Sequence, residues 1–86
     1  MSVSERVKQF VIANFYVSDP SMLGERTSLI TSGLVDSTGM LEVIGFLESE
    51  FAIRVLDEEM VPENLESIGE IADFVARKQA LRSPEP

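Results

Sequence analysis

The sequence predicts an all-α fold: a small four-helix bundle of three longer helices and one short one, with a long loop between the first and second. Three observations predict it. Apolar residues recur at helical spacing in three separate stretches, and a Ser-x-x-Glu or Asp cap signal precedes each. The one alternating segment, Ala52-Ile53-Arg54-Val55-Leu56, is too brief for a strand and has no visible partner.

The first helix opens at a capping box, with Ser2 as the cap and Glu5 reaching back to it. Val3, Val7, Phe10, Val11 and Asn14 line one side at helical spacing, which carries the helix to about Phe15. Ile12, Phe15 and Tyr16 lie off the centre of that stripe and are expected at the core edge or packed on the loop. From Val17 to Val35 the chain carries Ser, Asp, Pro, Gly and Thr with scattered apolar residues, a long loop opening at Asp19-Pro20 with a short helical turn near Pro20–Leu23. Irregular stretches of this length are uncommon in small domains. Met22, Leu23, Leu29, Ile30, Leu34 and Val35 give this one material to pack on the core, and Gly33 supplies a backbone bend just before the second helix.

Asp36 is the N-cap candidate of the second helix, since its carboxylate can accept from first-turn N–H groups and its charge suits the positive dipole end. Ser37 is then the first helical residue. Stepped at about 100° per residue, Met40, Val43, Ile44, Leu47 and Phe51 fall within an arc roughly 100° wide. Leu41, Glu42, Gly45, Glu48 and Ser49 fall outside it, so the helix has one buried and one solvent face.

After the extended link at 52–56, Asp57-Glu58-Glu59-Met60-Val61 predicts one or two turns capped by Asp57 and stopped by Pro62. The acids there lack the alternating Asp/Asn ligands, glycine and terminal Glu of a calcium loop, and no metal site is assigned. Ser67-Ile68-Gly69-Glu70 is a second capping box that opens a last long helix to about Ala80, with Ile68, Ile71, Ala72 and Val75 on one face, flanked by Phe74. Arg77 and Lys78 suit its negative C-terminal end. Residues 83–86 read as a frayed tail.

With 86 residues the chain is expected to form one domain, 1–82, burying about 60 to 65% of its unfolded surface. Cys, His and Trp are absent. That removes disulfides, thiolate chemistry and the commonest general base together, so catalysis is not expected. Residues 1–35 balance Arg6, Lys8 and Arg26 against Glu5, Asp19 and Glu25, whereas residues 36–73 set eleven acids against Arg54 alone, a net of −10. Such a surface repels nucleic acid and anionic membranes and favours proteins with basic patches. No apolar run approaches a membrane span and Met1-Ser2-Val3-Ser4-Glu5 has no signal-peptide layout, so a cytoplasmic location is expected.

Taken alone, Asp-Ser before an apolar helix is a capping device. Gly33-Leu34-Val35-Asp36-Ser37, followed by an amphipathic helix with Glu42, Glu48 and Glu50, resembles the acyl carrier protein family, and the resemblance covers nearly the whole chain. In that family the Ser of the pair bears 4′-phosphopantetheine, taken from CoA, through a phosphodiester, and the thiol of the arm holds an acyl group as a thioester. The resemblance therefore implies Ser37 as the attachment site, with Asp36 beside it. It implies a non-catalytic monomeric carrier, loaded by a CoA- and Mg²⁺-dependent phosphopantetheinyl transferase. Its other partners would be ligases, synthases or transferases of fatty-acid, polyketide or related biosynthesis that carry basic docking patches.

Glu42 and Glu48 flank Leu41 in angle on the outer face, acids around a spot that is either exposed or covered by the loop; Glu58 and Glu59 extend the same acidic surface. These five are the candidate docking residues. Fatty-acid carriers usually read Asp-Ser-Leu with an acid next, whereas this chain has Thr38 and Gly39. Asp-Ser-X-Gly is closer to stand-alone carriers of activated amino acids such as the D-alanyl carriers, so the cargo is acyl or aminoacyl. The competing class is an acidic helical adaptor without a prosthetic group that binds a basic protein.

Overall fold

A computed structural model describes residues 2–82, apart from the side chains of Met22, Leu81 and Arg82. Helices α1 (Val3–Asn14), α2 (Ser37–Phe51), α3 (Pro62–Leu65) and α4 (Ile68–Arg82) follow in chain order, with single 3₁₀ turns at Pro20–Met22 and Asp57–Glu59 and no strand among the described residues. The expected all-α bundle of three longer helices and one short helix is what the chain forms. The tail at 83–86 and the expected packing of Met22 lie outside what is described.

Helix α1 begins where the capping box places it. The Ser2 hydroxyl accepts from the Glu5 N–H at 3.2 Å, and the Ser2 N–H donates to the Glu5 carboxylate at 3.3 Å. Val7 and Val11 are fully buried. Asn14, expected on that stripe, instead faces solvent; its Nδ2 donates to the Phe10 carbonyl one turn back, a local bond that a short amide makes at no cost in burial. Ile12 and Phe15 pack against the core edge as expected, but Tyr16 is 85% exposed. The backbone turns extended at Phe15, which sends the next side chain outward.

The long loop is ordered by what it touches. Asp19 caps the turn at Pro20–Met22 by accepting from the Ser21 N–H. Leu23, Leu29 and Val35 are buried, each contributing about 1.5 to 3 kcal/mol of apolar transfer. Two backbone bonds pin the loop to the α3–α4 junction: Leu29 N–H to Glu66 O and Gly69 N–H to Glu25 O, both 2.8 Å. The Ser28 hydroxyl also donates to the Glu66 carboxylate at 2.9 Å. Ile30, expected in the core, is 46% exposed, because the tight turn at 28–33 that aims Leu29 inward turns its neighbour outward.

Helix α2 buries Val43, Ile44, Leu47 and Phe51, while Met40 is half-buried. It ends at Ala52, whose φ of 55° is left-handed and breaks the helix. In the extended link Ile53 and Val55 point inward, and the Glu48 carboxylate accepts from the Val55 N–H, serving where a neighbouring strand would. Asp57 is not a cap. Leu56 occupies that position, its N–H bonded to the Glu59 carboxylate at 2.9 Å, and Asp57 is the first residue of the turn. Nor does Pro62 only end a helix: it starts α3, where its missing N–H costs nothing and its fixed φ suits the first turn.

Helix α4 opens with the Ser67 hydroxyl accepting from the Glu70 N–H and donating to the Glu70 carboxylate, so this buried hydroxyl is satisfied. Its buried face of Ile68, Ile71, Phe74 and Val75 packs on α1 and α3 and touches α2. An aromatic row joins α1 to α2: Phe15 meets Phe10 edge-on, Phe10 stacks on Phe46 with centroids 4.3 Å apart, and Phe46 meets Phe51 edge-on. Arg6 pairs with Glu50 across the same two helices. No helix among the described residues is long and apolar enough to cross a membrane.

Candidate functional site

The loop delivers the chain to the head of α2 in a fixed geometry. Gly33 has φ of +83°, a left-handed bend open to glycine at no steric cost. Val35 is fully buried and its N–H donates to the Leu29 carbonyl at 3.0 Å. Asp36, extended at φ −93° and ψ −174°, caps α2 as expected: its Oδ1 accepts from the Gly39 N–H at 2.6 Å, and its carbonyl accepts from the Met40 N–H at 2.8 Å.

Ser37 is the first residue of α2 and is exposed. Its amide and that of Thr38 precede the first intrahelical bond, so the positive end of the helix lies beside the hydroxyl. The same residue lines an open groove of about 530 Å³ between the loop, α2 and the segment leading into α3. Ile30 and Thr31 form one wall, Met40, Leu41 and Ile44 another, and Met60, Val61, Pro62, Leu65 and Glu66 close the third side. The lining is largely apolar, with Glu66 its one charged member.

The five candidate docking residues are placed unequally. Leu41 is 62% exposed on the groove rim, and Glu42 follows it in the open. Glu48 is half-buried with its carboxylate on the Val55 N–H, about one turn further along α2 than the groove. Glu58 is exposed. Glu59 is held inward: the Leu56 N–H bond and the Lys78 ammonium, 2.9 Å away, keep its carboxyl below the usual carboxylate range. Lys78 thus serves Glu59 rather than only the end of the helix, and Arg77 reaches back to the Asn64 side chain at 2.8 Å. Among the described residues no three acids gather as a metal site would need.

The groove is not legible in the sequence. Its walls come from positions 30–31, 40–44 and 60–66 with Ser37 between the first two, and of this lining only Ser37 and Leu41 carry a functional signal in the sequence. The signal available was the pair Ile30 and Met60, apolar side chains in polar connecting segments that no helical stripe claimed.

No protein-family model matches the sequence. It is similar to the acyl carrier protein of Caulobacter vibrioides, in strain NA1000 / CB15N and equally in strain ATCC 19089. Identity to each is 30% over 78 residues, spanning 91% of this chain and 96% of the relative.

Proposed function

The chain belongs to the acyl carrier protein family, and from that premise we propose that Ser37 carries 4′-phosphopantetheine and that the protein presents an acyl group to partner enzymes. When bound, that group supplies a thiol on which cargo is held as a thioester. The observation that supports this reading is the position of the Ser37 hydroxyl, exposed at a capped helix head and on the rim of the apolar groove. The first turn of α2 would hold the charge of a phosphodiester at Ser37, since anions are favoured at a helix N-terminus. The Asp36 carboxylate is engaged by the Gly39 N–H, which holds its charge in the cap.

The groove supplies the rest. Met40, Ile44, Val61 and Leu65 offer apolar wall to an acyl chain that would otherwise stand in water, and this favours acyl over small aminoacyl cargo. The chain does no chemistry on the cargo; tethering raises the local concentration of the thioester at whichever enzyme is docked. Leu41 at the rim, together with the exposed Glu42 and Glu58, meets partners that carry basic patches. Exposed ion pairs contribute only about 0 to 1 kcal/mol each, so such docking is weak, fast and salt-sensitive, as a shuttle requires.

Intact mass after incubation with CoA, Mg²⁺ and a broad-specificity phosphopantetheinyl transferase tests the proposal. The wild-type chain gains one phosphopantetheine and Ser37→Ala gains none. A folded wild-type chain that stays unlabelled would overturn it in favour of an adaptor that uses Asp36-Ser37 only as a cap.

A further inference from the structure

Helix α2 contains two glycines in opposite surroundings. At Gly45, which is exposed, an added Cβ would meet nothing within 4 Å. At Gly39, which is buried, it would lie 2.7 Å from Phe15 Cε1 and 3.2 Å from both Asp36 Oδ1 and Val35 Cγ1. The first distance is well inside van der Waals contact, so the Phe15 ring rests on the bare Cα of Gly39.

Retreat of that ring is opposed. Phe15 meets Phe10 edge-on at 6.3 Å, and Phe10 is itself stacked on Phe46 of α2, so the aromatic row that begins under Gly39 is anchored on the same helix. Gly39 also donates the 2.6 Å bond to Asp36 that caps α2. The residue therefore sits between the ring on one side and the cap on the other, and displacement at position 39 is transmitted to Asp36 and Ser37.

Resting on the carrier reading above, we propose that Gly39 and Phe15 are positioning residues. The ring seated against the side-chain-free Cα sets where the first turn of α2 lies and thereby presents the Ser37 hydroxyl to the phosphopantetheinyl transferase. The glycine of Asp36-Ser37-Thr38-Gly39 is on this view a packing requirement of this chain, imposed by the aromatic at position 15.

Four variants test it: Gly39→Ala, Phe15→Leu, the double Phe15→Leu/Gly39→Ala, and Gly45→Ala as the same substitution elsewhere in the helix. Two readouts are taken on folded protein: kcat/KM for labelling by the transferase, and hydrogen exchange of the position 39 and Met40 amides, measured by NMR without the transferase. Gly39→Ala is expected to lower kcat/KM on the order of 10-fold or more, as small displacements of a reacting group do, and to speed exchange at the cap. The double variant recovers both relative to Gly39→Ala, while Gly45→Ala leaves both at wild-type values and raises Tm.

Wild-type labelling and exchange in Gly39→Ala would overturn the proposal, as would a double variant no better than Gly39→Ala. So would a labelling defect that disappears on cooling to where circular dichroism shows the variant fully folded, since that marks lost stability alone. If the wild-type chain itself is never labelled, the carrier reading fails. The cap-exchange comparison then upholds or rejects the seat by itself.

Discussion

At the scale of single residues the fold relies on carboxylates that accept backbone N–H groups: Glu5 at Ser2, Asp36 at Gly39, Glu48 at Val55 and Glu59 at Leu56. Each satisfies a donor that a small helical protein would otherwise leave to water. Glu59 carries a further consequence, because the Leu56 N–H and Lys78 both favour its charged form and lower its pKa from 4.5. A carboxyl whose folded pKa is depressed stabilises the protein above its unfolded pKa and loses that contribution as pH falls through the folded value. Glu59→Gln is therefore expected to be less stable than wild type at neutral pH, with the gap narrowing as pH drops below about 4.5. Urea denaturation of both proteins across that range measures it, and a gap that is constant with pH would count against the ion pair as its source. Asp36, read as a cap from its position before an apolar stripe, is legible in the sequence because capping is local chemistry. The inward turn of Glu59 is not, since its cation stands nineteen residues away in the chain.

At the scale of elements, the stripes and caps of α1, α2 and α4 could be read directly, because helical period and cap residues act within one turn. The short elements could not. Pro62 was legible as a boundary but not as a beginning, since proline is compatible with both a helix stop and position N1, and only the packing of Leu65 against the core decides between them. Tyr16 and Ile30 show the same limit: an apolar side chain in a connecting segment points wherever the local turn aims it. The loop nevertheless behaves as a structural element, with Leu29 as buried as any residue of α1. Leu29→Ala is expected to cost about 2 to 5 kcal/mol, the range for a helix-core leucine. Chemical denaturation gives the value; a loss under 1 kcal/mol, roughly that of a surface site, would show that the loop is draped on the bundle without stabilising it.

At the scale of the whole molecule, charge is the dominant imbalance. Eleven acids lie between residues 36 and 73 against Arg54 alone, and the ion pairs among the described residues are Arg6–Glu50 and Lys78–Glu59. Self-repulsion of this kind destabilises the compact state and is screened within about 10 Å at ordinary ionic strength. Tm is therefore expected to rise from low to moderate salt in a thermal melt, and a flat or falling trend would contradict a net repulsive surface. The candidate site was legible only in part for a reason that also belongs to this scale. Ser37 announces itself through its neighbours in sequence, whereas the groove exists only once three distant segments are brought side by side.

Two walls of that groove share a rivet. The backbone and carboxylate of Glu66 both grip the loop, through Leu29 and Ser28, so the loop and the end of α3 are held together as one side of the groove. Across the groove stand Met40, Leu41 and Ile44 of α2, with Ser37 at the head of the same helix. Whatever enters the groove therefore meets a loop wall that backbone and side-chain hydrogen bonds already hold in place.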